Sequence, residues 1–233
     1  TVSGSTIGDA IANAEVAPGQ DVVRRFAAPV TREGAMAVLY GNLAPRSAVI
    51  KQSAASPGLV RHTGRAVVFD SVEDMAARID LPDLDVNAED VLVLRNAGPK
   101  GAPGMPEAGF LPIPLKLARQ GVRDMVRISD ARMSGTAFGT IVLHIVPEAA
   151  LGGPLAVVLS GDLILLDVEA RRIELLIDDA ELQRRLAEWK QLPPRPKTAT
   201  RGYARLFEES VLQADQGCDF DFLLRAGDTE TNS

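Results

Sequence analysis

Two stretches of this chain combine residue types and spacings that could do chemistry. The first is Gly98-Pro99-Lys100-Gly101-Ala102-Pro103-Gly104-Met105-Pro106-Glu107, with three glycines and three prolines in ten residues. Glycine lets a backbone approach a ligand closely and proline stiffens its route, so such a loop specifies one path. It ends in a carboxylate. A hard cation such as Mg²⁺ takes oxygen ligands of that kind and keeps other positions for substrate and water. Glu107 could equally be a helix N-terminal residue that faces the positive end of the dipole. The second stretch is Ser129-Asp130-Ala131-Arg132-Met133-Ser134-Gly135-Thr136. Its two distal hydroxyls and the N–H groups around Gly135 would suit a carboxylate or hydroxy-acid oxygen. The same residues would also make an ordinary turn, with Asp130 and Ser134 bonded to local backbone. A serine alone is a poor base, and no histidine lies nearby in sequence to activate Ser134.

The elements around these loops read as a mixed α+β fold. Residues 37–40, 47–50, 66–69, 91–94, 126–128 and 141–146 read as strands, the fourth as a short buried one. Three more, 155–159, 163–168 and 173–177, are joined by tight turns and read as an antiparallel meander. Ser71, with Asp74 three residues on, starts a helix whose apolar face is Val72, Met75, Ala76 and Ile79. A second helix starts near Pro112 or Pro114 and stops at Gly121. Asp178 caps a third, lined by Leu182, Leu186 and Trp189. The first thirty residues read as irregular. Pro193, Pro194 and Pro196 break the chain, and an amphipathic helix resumes around Tyr203, Leu206 and Phe207. The expectation is a closed or partly closed barrel over residues 1–192 with helices outside it. Residues 193–233 form an arm that packs on another domain or subunit.

Composition excludes several function classes. The net charge is −6 and the arginines are scattered, so there is no basic footprint for nucleic acid. Aromatics are 4%, too few for base-stacking platforms. No apolar run approaches a membrane span, since 155–166 is interrupted by Ser160, Gly161 and Asp162. The start, Thr1-Val2-Ser3-Gly4, is neither basic nor apolar, so the chain reads as a cytosolic fragment or processed product without a signal peptide. Cys218 is the single cysteine, which rules out an internal disulfide and a thiolate-held cluster from this chain alone. It reads as a small hydrophobe, His144 as a packed or hydrogen-bonded histidine and His62 as solvated. Lys51 ends a strand, and its ammonium could be buried or site-facing.

Four blocks in order resemble the dihydroxy-acid and 6-phosphogluconate dehydratase family. They are Val38-Leu39-Tyr40-Gly41-Asn42-Leu43-Ala44-Pro45 with Ala48-Val49-Ile50-Lys51, the loop ending in Glu107, Ile128 to Gly135, and Pro147-Glu148-Ala149-Ala150-Leu151-Gly152-Gly153-Pro154. The resemblance covers roughly Thr1 to Ile177. It implies a swivelling β/β/α barrel domain, a Mg²⁺ ligand at Glu107, a proton-abstracting serine at Ser134 and substrate contacts from Gly135 and Thr136. It further implies an iron–sulfur cluster whose ligands lie outside this chain, in an N-terminal domain of the same enzyme, and a homodimer or homotetramer. The reaction implied is removal of water from a 2,3-dihydroxy acid to give a 2-keto-3-deoxy acid. The run Asp130-Ala131-Arg132-Met133-Ser134-Gly135-Thr136 and the tail from Gln213 to Leu223 resemble the sugar-acid branch. A dihydroxy acid of branched-chain amino-acid synthesis is the alternative substrate, and a non-catalytic binding or assembly module the alternative role. Ala102 stands where the family commonly has glycine.

Overall fold

The computed structural model describes residues 1–107, 111–193 and 199–224. The chain divides into two compact units, Thr1–Gly34 and Ala35–Ser233. In the first, the short helix α1 (Ile7–Ile11) is closed by a capping box between Thr6 and Asp9. This corrects the expectation of wholly irregular chain there: Thr6 and Asp9 satisfy each other's backbone N–H groups, which is what a one-turn helix requires.

The second unit is built on a closed eight-stranded barrel. Its strands are β1 (Ala37–Gly41), β2 (Ala44–Ile50), β3 (Arg61–Phe69), β4 (Val91–Leu94), β5 (Arg127–Ser129), β6 (Ile141–Val146), β7 (Leu163–Asp167) and β8 (Arg172–Leu175). Around the barrel the order is β1-β2-β6-β5-β4-β3-β7-β8. The neighbours β3, β4, β5 and β6 all run parallel. β7 joins β3 antiparallel and β8 joins β7 antiparallel, while β2 is antiparallel to both β1 and β6. A single parallel pair, Tyr40 with Arg172, closes the ring.

Strand periodicity divides the core in two. Val68, Val91, Val93, Ile128 and Val142 belong to one apolar cluster, together with Ile164, Leu166, Ile173 and Leu175 of β7 and β8. The alternate residues Val67, Phe69, Leu92, Leu94, Ile141 and Leu143 join a second cluster, with Met75 and Ile79 of α2 (Val72–Arg78) and Leu117 of α3 (Leu115–Arg119). The parallel strands are therefore buried on both faces, which is why Val91–Leu94 is continuously apolar. β7 and β8 are buried on one face only and alternate accordingly.

α4 (Asp179–Lys190) starts where Asp178 accepts from Glu181 N, and it packs Leu182, Leu186 and Trp189 on the first cluster. Ser71 caps α2 through Asp74 N, whereas the Asp74 carboxylate accepts from Asp70 N, one residue beyond the Ser71 N–H that a capping box would use. The expected strand at 155–159 is absent. Pro154–Val157 is instead a 3-10 turn whose side chains are all buried. A fully buried apolar run reads alike as strand or helix, and Pro154 at its first position favours the helical form. The meander is thus one hairpin, β7–β8. α5 (Gly202–Ser210) follows, and Val211 bridges back to Phe220. Pro194, Pro196 and the end of the expected arm, 225–233, lie outside the described residues.

Candidate functional site

Because β3 to β6 are parallel, their carboxyl ends lie on one rim. From that rim leave the loops that begin at Asp70, Arg95, Asp130 and Pro147. Such loops have no ladder to satisfy their backbone N–H groups, and a buried N–H without an acceptor costs about 1–3 kcal/mol. Two buried carboxylates meet this need.

Asp130, 1% exposed, accepts from Asn96 N at 3.2 Å, Ala97 N at 2.8 Å and Ala149 N at 2.9 Å. One side chain thereby ties together the loops after β4, β5 and β6. Burial pushes its carboxyl up to about 6; the N–H groups pull the other way, and the charge of Glu148 adds to the rise. Glu148, also 1% exposed, accepts from Lys100 N at 3.0 Å and Gly101 N at 2.9 Å. A Cβ on Gly98 would stand 2.6 Å from Glu148 Oε2, and one on Gly101 would stand 2.8 Å from the Asn96 backbone. These two glycines are therefore dictated by close approach.

The Glu107 loop and the Ser134 loop meet edge to edge. Glu107 and Arg132 form a parallel β-bridge, and Arg132 Nε donates to Met105 O at 3.0 Å. The Arg132 guanidinium also lies 3.7 Å from Glu107 Oε2, with both side chains partly exposed. Two residues beyond Arg132, Ser134 Oγ lies 2.9 Å from Thr136 Oγ1 and accepts from Thr136 N at 3.2 Å. Ser134 is half-buried, while Gly135 and Thr136 are exposed. Both Glu107 and Ala131 border a largely apolar cavity of about 420 Å³ with Met75, Ile79 and Leu94; Ser134 and Thr136 are not among its walls.

Two further residues support the second loop. Lys51 Nζ donates to Gly135 O at 2.8 Å, so the ammonium at the end of β2 is site-facing. His144 has φ +53° and donates its own N–H to Ala131 O, while its Nε2 accepts from Met133 N at 2.9 Å. Burial, then the charge of Arg132, lowers its pKa, which suits a neutral accepting ring. His62 is not simply solvated: it is half-buried with Nε2 2.8 Å from Glu89 O.

The described residues fit only part of a metal centre. Glu107 offers one carboxylate to a divalent cation, and among the described residues no three His, Cys, Asp or Glu side chains gather to hold a metal. They do not fit an iron–sulfur cluster. Cys218 is the one cysteine, its thiol donates to Met105 Sδ at 3.5 Å, and burial pushes its pKa up, away from thiolate.

Glu107, Ser134, Gly135 and Thr136 were visible as candidates in the sequence. Asp130 and Lys51 stood in view without a role at the site, and Glu148 and Gln213 carried no signal beyond membership of the matching blocks and tail. Their partners lie 19–84 residues away along the chain. Among the described residues no helix is long and apolar enough to cross a membrane.

Comparison with known proteins follows the same lines. Residues 21–218 match the family model described as dihydroxy-acid/6-phosphogluconate dehydratase C-terminal. An L-arabonate dehydratase of Azospirillum brasilense is 52% identical over the whole chain, which covers 40% of that protein. A 6-deoxy-6-sulfo-D-gluconate dehydratase of Pseudomonas putida is 54% identical over 87% of the chain and 35% of its own length. A dihydroxy-acid dehydratase of Desulfosudis oleivorans is 43% identical over 94% of the chain and 38% of its own length. The chain thus spans 40% or less of these curated relatives. With the family model covering most of its residues, the chain belongs to the dihydroxy-acid/6-phosphogluconate dehydratase family, as its C-terminal part.

Proposed function

We propose that this chain supplies one part of the active site of a hydro-lyase that dehydrates a sugar acid to a 2-keto-3-deoxy acid. The observation that carries the reading is the Glu107–Arg132 bridge, which sets the carboxylate-bearing loop beside the hydroxyl-bearing loop. The sugar-acid assignment rests on relatives: those named for arabonate and sulfogluconate are 52–54% identical, against 38–43% for those named dihydroxy-acid dehydratase.

In this reading Ser134 Oγ takes the proton from C2, the C3 hydroxyl leaves as water, and the resulting enol tautomerises to the keto acid. Thr136 and Gly135 hold substrate oxygens. Ser134 must approach an alkoxide to act as base, which hydrogen-bond donors and nearby positive charge favour. Thr136 supplies its N–H to Ser134 Oγ, and the Lys51 ammonium sits on the next residue's carbonyl. Glu107 would be one ligand of a Mg²⁺ ion, which when bound would stabilise negative charge developing on the substrate carboxylate and C2 oxygen. No group described here assists departure of the C3 hydroxyl. That task, the iron–sulfur cluster and the remaining metal ligands fall to the N-terminal domain of the same enzyme.

The barrel is read as the swivelling β/β/α type over residues 1–192, with 193–233 as an arm. The assembly is a homodimer or homotetramer in the cytoplasm. The isolated chain should not turn over substrate. In the full-length enzyme assayed on pentonates and sulfogluconate, Ser134→Ala should lower kcat by roughly 10³-fold and leave the cluster absorption unchanged. Retained activity would remove Ser134 as the base.

A further inference from the structure

The segment beyond α4 adds no strand to the barrel, yet it reaches the loop that carries Glu107 at two points and the Glu148 carboxylate that holds that loop at a third. Gln213, 5% exposed, sets its carboxamide against Glu148: Nε2 donates to Oε1 at 2.5 Å, and Oε1 accepts from Glu148 N at 2.9 Å. Lys100 Nζ donates to the carbonyls of Glu208 and Glu209 at 3.0 Å each, in the last turn of α5, where a cation complements the helix dipole. The Cys218 thiol lies against Met105 Sδ. From the other side Arg46 of β2 pairs with Asp215 at 2.7 Å, which holds the segment to the barrel wall.

The Gln213 contact differs from the others in what it controls. The Glu148 carboxylate accepts from Gln213 and also from Lys100 N and Gly101 N, the turn at the head of the Glu107 loop. Among the described residues its hydrogen-bond partners are all N–H donors, so its orientation depends on the full set being present. The primary amide at position 213 both donates to the carboxylate and accepts from the Glu148 N–H, through two different atoms on one planar group. A leucine would leave the Glu148 N–H without its acceptor and the carboxylate with one donor fewer. A glutamate would place a second negative charge against the first.

We propose that Gln213 is a positioning residue for the Glu107 loop: by fixing the Glu148 carboxylate it sets the backbone path from Gly98 to Glu107 and thereby the affinity for the divalent cation. This rests on the reading of Glu107 as a cation ligand. Residues that orient a metal ligand from behind typically change metal affinity by roughly 10–100-fold when replaced.

The test uses the full-length enzyme with Gln213→Leu, Gln213→Glu and Glu107→Gln. Two quantities are read: the Mg²⁺ concentration for half-maximal activity, and the amide hydrogen exchange of peptides covering 98–107. Both Gln213 variants should raise the Mg²⁺ requirement by about 10-fold or more, with Gln213→Glu the larger, and speed exchange in 98–107. A residue serving only global stability would speed exchange throughout the barrel and leave the Mg²⁺ requirement alone. If Gln213→Glu does not fold, Gln213→Asn keeps both hydrogen-bonding functions on a shorter stem and should give a smaller shift in the same direction. An unchanged Mg²⁺ requirement in the Gln213 variants, with Glu107→Gln raising it, overturns the positioning role and leaves the ligand reading standing. An unchanged requirement in Glu107→Gln overturns the ligand reading itself, and this inference with it.

Discussion

The hairpin β7–β8 and the neighbouring strands β4 and β5 are pieces of one barrel, but they handle their backbones differently. The hairpin turns over Val168–Arg171, where Arg171 N donates to Val168 O and Ala170 N to the Asp167 carboxylate, all within five residues. Its strands alternate inward Ile164, Leu166, Ile173 and Leu175 with exposed or half-buried residues. β4 and β5 run parallel and cannot be joined by a tight turn, so each ends in a long irregular loop on the same rim. The loop after β4 borrows acceptors from far away in sequence, Asp130 of the loop after β5 and Glu148 of the loop after β6. Local pairing makes the hairpin self-sufficient and chemically plain. Non-local pairing makes the rim dependent on buried charge, and it also brings Glu107 and Ser134 into neighbouring loops.

Substitutions can break that contrast, and the largest effect should come from the rim. Glu148→Leu strips acceptors from Lys100 N, Gly101 N and Gln213 Nε2 in a buried site. The expected loss is about 3–5 kcal/mol of stability, read from the midpoint of urea denaturation; a loss under about 1 kcal/mol would show that water serves these groups instead.

A smaller effect, but a more specific one, concerns pH. Unfolded Asp130 titrates near its ordinary 3.8 and folded Asp130 near 6. Between those values the folded state holds a proton that the unfolded state has released. The contribution of this group is therefore fully present below about 3.8 and is lost as pH rises through about 6. The stability advantage of wild type over Asp130→Asn should shrink by roughly 2 kcal/mol between pH 4 and pH 7. A constant difference across that range would mean that the N–H groups fully offset burial.

The smallest expected effect is in the other region. Asp178→Ala removes the cap of α4, which follows the hairpin in the chain and packs on the Pro154–Val157 turn, and should cost about 1 kcal/mol without altering substrate or Mg²⁺ dependence in the full-length enzyme. A change in Mg²⁺ dependence there would show that the two regions are energetically coupled.

Much of the fold was legible because its signals are local. Val91–Leu94 announces a strand buried on both faces, Ser71 and Asp178 announce helix starts, and the 168–171 turn announces a hairpin. The run 155–159 was misread because a segment buried all round has no periodicity to display. The candidate residues Glu107 and Ser134 were legible as chemistry on loops. That their loops share a bridge was not, since Glu107 and Arg132 are 25 residues apart and meet only when β4 and β5 pair.

By itself, then, the sequence determined most of the strands and helices, which loops are stiff, and which side chains are chemically able. The tertiary structure alone decided that Asp130 and Glu148 are the fixed points of the rim, and that Gln213 reaches one of them from 65 residues away. The physical reason is that a buried carboxylate is specified by the donors that surround it. Apart from Gln213 Nε2, those donors are backbone N–H groups, which every residue but proline carries and no sequence pattern distinguishes.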